Sequence, residues 1–171
     1  MSSYSVGTGS QAISGTASVT VANAAVTLVI IRPPTTAGGM GFNVMRLWAN
    51  QKGTATSAQY EIIYGTKVTA FGTYVSATPK PDRIDGPASV IAGGTAGAQG
   101  TAGINASAEG AGTVTGIGGD NFNNLNGYLW TPNPKEIITL ANNSASGFVL
   151  QFPVAAGSLT NWHFGVNYEE V

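Results

Sequence analysis

The chain has 171 residues, and only 9 % of them are Asp, Glu, Lys or Arg, against roughly 25 % in an ordinary soluble domain. A protein of 17.3 kDa exposes on the order of 7,800 Å², which leaves about one charge per 500 Å². Because the centres of protein interfaces are depleted in charge, much of this surface is expected to face other subunits. The absence of cysteine excludes disulfides, thiolate catalysis and Cys-ligated metal sites.

The cations are scattered along the chain, which disfavours a basic nucleic-acid-binding face. The apolar run at residues 24–31 is too short to span a bilayer, and no basic segment precedes it as in a secretory signal. We therefore expect neither nucleic acid nor membrane among the partners. The length predicts a single domain over residues 1–171.

The N-terminal segment, residues 1–22, is mostly Ser, Thr, Gly and Ala, which predicts a flexible arm that runs into a first strand near its end. Residues 25–32 form a β-branched run that Pro33 and Pro34 stop, and this run predicts a strand. A further strand is predicted at residues 41–49. Simple alternation places Phe42, Val44, Arg46 and Trp48 on one face of it and Asn43, Met45 and Leu47 on the other.

Residues 58–64 and 67–75 are rich in aromatic and β-branched side chains and predict a hairpin that turns at Gly65-Thr66. The loop at residues 77–87 holds four of the fifteen charges and is expected to be the most solvated part of the chain. The Gly/Ala-rich segment at residues 92–119 contains no aromatic residue, and we interpret it as a long loop and candidate contact element, with a short strand at residues 112–117.

The last third of the chain contains strand patterns separated by Gly, Pro and Asn turn signals. They lie at residues 128–130, 136–141, 147–154 and 162–169. No convincing amphipathic helix is present. About eight to ten short strands predict an all-β fold, an antiparallel β-sandwich of the jelly-roll type, with the flexible arm and the Gly/Ala-rich insertion attached.

Signals for catalysis and metal binding are weak. The single histidine, His163, lies in a strand without a nucleophile motif, and the acids Glu61, Glu109, Asp120 and Glu136 lie on separate segments. The Asn-rich run at residues 120–127 fails the spacing of a calcium loop and is better explained by turn hydrogen bonds. No catalytic, cofactor-binding or metal-binding residue is assigned, and an enzyme is disfavoured.

The tryptophans Trp48, Trp130 and Trp162 would form a sugar-stacking platform if several were exposed on one face, although strand positions favour core packing. We keep a carbohydrate-binding or receptor-binding head-fibre module as an alternative function on this ground.

The whole chain resembles the short, β-rich structural proteins of tailed phages and prophages that decorate or cement the capsid. The resemblance depends on the low-charge N-terminal segment, the Gly/Ala-rich insertion and three sequence stretches. These are Arg32 to Gly38 (RPPTTAG), Arg46 to Ala49 (RLWA) and the closing aromatic strand that ends in Tyr168-Glu169-Glu170.

The resemblance implies a non-enzymatic virion protein that binds itself, as a trimer for example, and a major capsid protein, without a cofactor. It implies a location on the capsid surface after assembly in the host cytoplasm. A small jelly-roll coat protein that forms the lattice itself is a second alternative. The candidate interface residues are Tyr4, Val6, Arg32, Arg46, Trp130, Glu169 and Glu170.

Overall fold

The computed structural model describes residues 2–8, 27–35, 40–53, 56–68, 71–91, 100–142, 145–154 and 160–171. These residues form twelve β-strands and no helix, which confirms the all-β prediction. The strands are β1 (Ser2–Gly7), β2 (Thr27–Arg32), β3 (Phe42–Gln51), β4 (Gln59–Val68), β5 (Thr73–Ser76), β6 (Lys80–Pro81), β7 (Thr101–Ala108), β8 (Val114–Asn123), β9 (Tyr128–Trp130), β10 (Ile138–Leu140), β11 (Ser146–Gln151) and β12 (Trp162–Glu170).

The strands form two antiparallel sheets that pack against each other as a β-sandwich. Sheet A has the order β10-β3-β12-β1-β6, and β9 pairs with β3 beside β10. Sheet B has the order β5-β7-β2-β11-β4-β8. Four pairings are nested in the sequence: β1 with β12, β2 with β11, β3 with β9 and β10, and β4 with β8.

The core lies between the inner faces of the two sheets, where alternate strand residues point. Trp162 is fully buried at one end, with the rings of Tyr60 and Phe152 each 5.0 Å away, centroid to centroid. Tyr4 and Tyr168 stack at 5.7 Å near the other end. Aromatic side chains thus fill both ends of the sandwich.

The prediction of a flexible N-terminal arm is wrong for the first described residues. Ser2–Gly7 form β1, which pairs along its whole length with β12 and is covered on its other edge by β6. Tyr4 and Val6 point into the core. Removal of β1 would therefore take an inner strand out of sheet A, and would not merely shorten a flexible segment. The rest of the predicted arm and its strand, residues 9–22, lies outside the described residues.

The predicted facing of the β3 side chains is also wrong beyond Val44. Simple alternation fails because the register with β12 shifts after Val44, where an extra residue, Met45, makes a β-bulge. Beyond the bulge Leu47 is buried in the core, whereas Arg46 and Trp48 point outward. A bulge reverses the facing of every later residue in the strand, and the alternating pattern alone does not show it.

The hairpin predicted at Gly65-Thr66 is wrong, because β4 continues through both residues to Val68 and pairs with β8 and β11. Gly65 is required by close approach rather than by a turn: a Cβ there would lie 2.1 Å from the Thr115 carbonyl oxygen.

The Gly/Ala-rich segment is not a long loop where it is described. Residues 101–108 form β7 against β2, and the short strand predicted at residues 112–117 is the first part of the longer β8. Residues 92–99 lie outside the described residues. Small residues suit β7 because Tyr74 lies directly on Gly103, where a Cβ would be 1.9 Å from the ring.

Candidate functional site

The outer face of sheet B is covered by a second apolar cluster. Ile30 and Val149 point out of the sandwich and are buried with Phe71, while Tyr74 and Val114 pack against them. The covering side chains come from β5 (Tyr74), the residues just before it (Phe71) and the first residue of β8 (Val114). This face is therefore already occupied by the chain itself.

A buried ion pair anchors this cover. The Lys67 side chain on β4 is 2 % exposed, and its Nζ lies 3.1 Å from Glu109 Oε2 and also donates to the Glu109 carbonyl. The carboxylate of Glu109 accepts hydrogen bonds from the Thr27 amide at 2.6 Å and the Thr27 hydroxyl at 2.7 Å. A buried charge held in this way ties the segment after β7 to β2 and β4.

The outer face of sheet A carries no comparable apolar cover among the described residues. Small and polar side chains face outward on β1, β3 and β12, with Trp48 among them, and Leu129 faces outward on the neighbouring β9. We call this surface the sheet A outer face; it comprises Ser3, Ser5, Gly7, Arg46, Trp48, Asn50, Leu129, His163, Gly165 and Asn167.

Trp48 is the largest side chain of the sheet A outer face. Its six-membered ring lies directly over Gly165, where a Cβ would be 2.1 Å from Cζ2. The guanidinium of Arg46 lies 5.0 Å from the ring centroid, within the range of a cation–π contact. Leu129, opposite Trp48 in the ladder, is 67 % exposed. Together they form a partly exposed apolar centre with a polar surround.

The three tryptophans do not form one platform. Trp162 is in the core, and the half-buried Trp130 packs on the inner side, 5.1 Å from the ring of Tyr64. Only Trp48 of the three faces outward, which leaves a much weaker basis for sugar stacking than the sequence indicates.

Asp82 fastens the segment after β6 to the sheet A outer face. Its carboxylate accepts hydrogen bonds from Ser5 Oγ at 2.7 Å, Asn167 Nδ2 at 2.5 Å and Ser3 Oγ, and its amide donates to the Ser3 carbonyl. Beyond Asp82, residues 83–85 are exposed, as predicted for a solvated loop. The free edge of β1 is thereby covered.

Three predicted interface residues are buried within the subunit, which corrects their assignment. Tyr4 and Val6 belong to the core. Glu170 is 3 % exposed, and its Oε1 accepts hydrogen bonds from Ser89 Oγ at 2.5 Å and from the Val90 amide at 2.9 Å. Glu170 therefore closes one end of the sandwich and is not exposed for contact with another subunit.

The buried Tyr168 belongs to the same polar network. Its hydroxyl lies 2.7 Å from Ser89 Oγ, and burial raises its pKa well above the usual value. The ring therefore stays neutral at physiological pH and has a structural role.

Arg46 is exposed at the centre of the sheet A outer face, and Glu169 is half-exposed at its margin, opposite Ser3 and Asn43. Arg32 is half-buried on the other side of the molecule, with its guanidinium 4.6 Å from the Phe71 ring centroid. Arg46 and Glu169 thus lie on one surface, whereas Arg32 is part of the sheet B cover.

The edges of the sheets differ in a way that the sequence did not indicate. Within the described residues, β6 has two residues and includes Pro81, β9 and β10 have three each, and β5 has four. In contrast, β8 is an edge strand of ten residues without proline or lysine, and β4 is its one partner among the described strands. The Gly-rich composition of this region predicts a loop, so the sequence does not indicate this edge.

His163 lies on sheet A and Glu109 follows β7 of sheet B, so the two are not brought together. His163 is half-buried on the sheet A outer face, and its pKa is lowered by burial and by the nearby Lys52. The Glu109 carboxylate forms an ion pair with Lys67. In the Asn-rich run, Asn123 Oδ1 accepts a turn hydrogen bond from the Leu125 amide at 2.9 Å. The buried Asn124 makes a long-range contact instead, because its Oδ1 accepts from the Ala58 amide at 2.9 Å. No group of three His, Asp or Glu residues within the described ranges is arranged to hold a metal ion.

Comparison with protein-family models, with curated proteins and with solved structures finds no match to this chain. In the described part of the chain, no helix has the length and hydrophobicity needed to cross a bilayer. The candidate site is therefore defined by geometry alone: the sheet A outer face and the edge of β8.

Proposed function

We propose that the chain is a non-enzymatic virion structural protein that decorates and stabilises a phage capsid. The observation that carries the proposal is the sheet A outer face, where small and polar side chains surround Trp48 and Leu129. Arg46 is the charged side chain at its centre, and the carboxylates of Glu169 and Asp82 lie at its margin. The cores of protein interfaces are depleted in Lys, Asp and Glu and enriched in Trp and Arg, which are the side chains at the centre of this surface. Such a surface binds another protein at little cost in charge desolvation.

The scarcity of charge over the whole molecule supports the same proposal. The surface measures 8109 Å². Two of the fifteen charged side chains, Lys67 and Glu170, are buried, so the remaining surface carries even fewer charges than the composition suggests. A free monomer with so few charges has little protection against association.

The nested strand pairing supports the jelly-roll interpretation of the sandwich. A jelly roll arises when one long hairpin of paired strands wraps into two sheets, and it is a fold that viral capsid proteins use. Fold alone does not specify function, and the same architecture suits a coat protein that forms the lattice itself. Copy number distinguishes the two, because a coat protein builds the continuous shell and a decoration protein binds to it.

The contact we envisage has Trp48 and Leu129 at its centre. Apolar and aromatic side chains in the middle of a polar surface are the groups that dominate binding energy when a partner excludes water from them. Gly165 leaves room for the Trp48 ring against the sheet, where a capsid surface would contact the ring. Many subunits, each bound weakly, would together stabilise the shell.

The test is co-sedimentation of the purified chain with purified capsids of the phage or prophage that carries its gene. The variant Leu129→Asp places a charge at the centre of the surface and is expected to abolish capsid binding. Val75→Asp is the matched control, since Val75 is 58 % exposed on β5 of the other sheet. We expect this control to bind as the unmodified chain does.

A folded chain that does not co-sediment with capsids contradicts the proposal. Equal binding by both variants would show that the contact does not lie on the sheet A outer face. Binding to a glycan array that is lost in Trp48→Ala would instead favour the carbohydrate-binding alternative, because Trp48 is the one outward-facing tryptophan.

A further inference from the structure

Among the described strands, β8 pairs with β4 on one edge and with no strand on the other. Its ten residues include six that are exposed: Thr115, Gly116, Ile117, Gly119, Asp120 and Asn121. Natural edge strands are usually blunted by lysine, proline or shortness, and the other edges of this sandwich are short. The β8 edge has none of these three protections. It does carry a bulge at Ile117 and one charged residue, Asp120, whose Oδ1 accepts a hydrogen bond from the Asn121 amide at 2.7 Å.

We propose that two copies of this chain pair through β8, antiparallel and about a two-fold axis, so that the two sheets B join into one continuous sheet. A second copy is the favoured occupant because it supplies an edge of the same length, so that all of β8 can pair. Among the described strands of this chain, β8 is the one edge that matches its length. Backbone hydrogen bonds would supply most of the affinity, as in other strand additions.

The register follows from the bulge in β8. The pairing with β4 passes from Gly118 directly to Gly116, so Ile117 is the extra residue and nine positions remain in the ladder. A two-fold axis at Gly119 is the arrangement that pairs all nine positions with their symmetry mates. It places Gly116 opposite Asn121 and Gly118 opposite Asp120 of the second copy.

Charge and size are compatible with this arrangement. Asp120 is the one charged residue of β8, and facing glycine rather than its own symmetry mate avoids direct repulsion between like charges. A side chain of ordinary size fits at Gly116, where a Cβ meets no atom within 4 Å. The exposed Ile117 side chain, 52 % accessible, lies at the same edge and would lose contact with water.

The pairing adds a second copy of the chain as a partner within the proposed function. The role of the dimer on a capsid rests on the proposed function. The dimer itself is tested without capsids, so the two proposals fail separately. Sedimentation velocity over a range of concentrations is expected to show a reversible monomer–dimer equilibrium for the unmodified chain. A chain that stays monomeric at every concentration overturns the proposal.

Edge-blocking variants locate the contact. Ile117→Lys/Asn121→Lys places two charges on β8 and is expected to abolish the dimer. Thr73→Lys/Val75→Lys adds the same charge to exposed positions of β5 and is expected to leave it intact. Circular dichroism verifies that both variants fold. Dimers that survive in the β8 variant, or that are lost equally in both, contradict the assignment.

Disulfide trapping tests the register independently of stability, because the chain contains no cysteine of its own. In Gly116→Cys/Asn121→Cys, each cysteine would face its counterpart across the two-fold axis, within reach of a disulfide. We expect a covalent dimer on a non-reducing gel after mild oxidation. The control Val75→Cys/Asn121→Cys should stay monomeric there, and equal cross-linking of both variants would exclude the proposed register.

Discussion

The two outer faces of the sandwich are each closed by a carboxylate, but in different ways. On sheet B, Glu109 is held against the buried ammonium of Lys67 and fastens an apolar cover. On sheet A, Asp82 is exposed and fastens a short solvated segment through hydroxyl and amide donors. A carboxylate fastens a segment on each sheet, but with a different result. Glu109 pairs with the buried Lys67 and contributes to stability on sheet B, whereas Asp82 holds only a short segment on sheet A and leaves the surface around Trp48 open to a partner.

The largest effect is expected at Glu109. Glu109→Ala removes the partner of a buried charge and should lower the free energy of unfolding by about 3 kcal/mol, since an unpaired buried ammonium is costly. Urea denaturation measures the loss. The double variant Lys67→Met/Glu109→Gln, which removes the buried charge as well, should recover much of that stability. A loss below about 1 kcal/mol in Glu109→Ala would show that Lys67 reaches water in solution.

A smaller effect is expected at Asp82. Asp82→Ala removes an acceptor whose donors, on Ser3, Ser5 and Asn167, lie near solvent and can bond to water instead. The expected loss in urea denaturation is about 1 kcal/mol, and the segment after β6 should become more sensitive to proteolysis. If Asp82→Ala proved as destabilising as Glu109→Ala, the proposed contrast between the two faces would be wrong.

The smallest effect is the pH dependence from His163. Because its pKa is lowered in the folded chain, the unfolded chain binds this proton more readily. The stability contribution is therefore complete above the unfolded pKa of about 6.5 and is lost as the pH falls through the folded value. His163→Gln should reduce the stability difference between about pH 7.5 and pH 5 relative to the unmodified chain. An unchanged pH profile would contradict this role.

Much of the fold could be predicted from local sequence. The β-branched run that became β2 and the alternating segment that became β12 were recognised because apolar side chains at such spacing suit a pleated sheet packed on one face. The candidate site was predicted less well. Arg46 was placed on the correct strand, but its outward facing depends on a bulge that the alternating pattern does not show.

Long-range pairing accounts for the other errors. Ser2–Gly7 look like an arm because they contain few apolar residues, and yet pairing with β12 on one side and β6 on the other makes them an inner strand. The Gly-rich β7 and β8 look like a loop, because the aromatic rings that cover their glycines, Tyr74 and Tyr64, come from distant positions. Glycine supplies the space under such rings, and its local strand propensity is too low to reveal this.

The sequence by itself determined the all-β class, the positions of most strands and the scarcity of charge, because these follow from side-chain periodicity and composition. Only the tertiary structure decided which face of the sandwich is covered and which sheet edge is free. Those properties depend on contacts between residues far apart in the chain: Lys67 with Glu109, Trp48 with Gly165, and β8 with β4 alone among the described strands. Local propensity carries no information about such contacts, because they arise from packing and register.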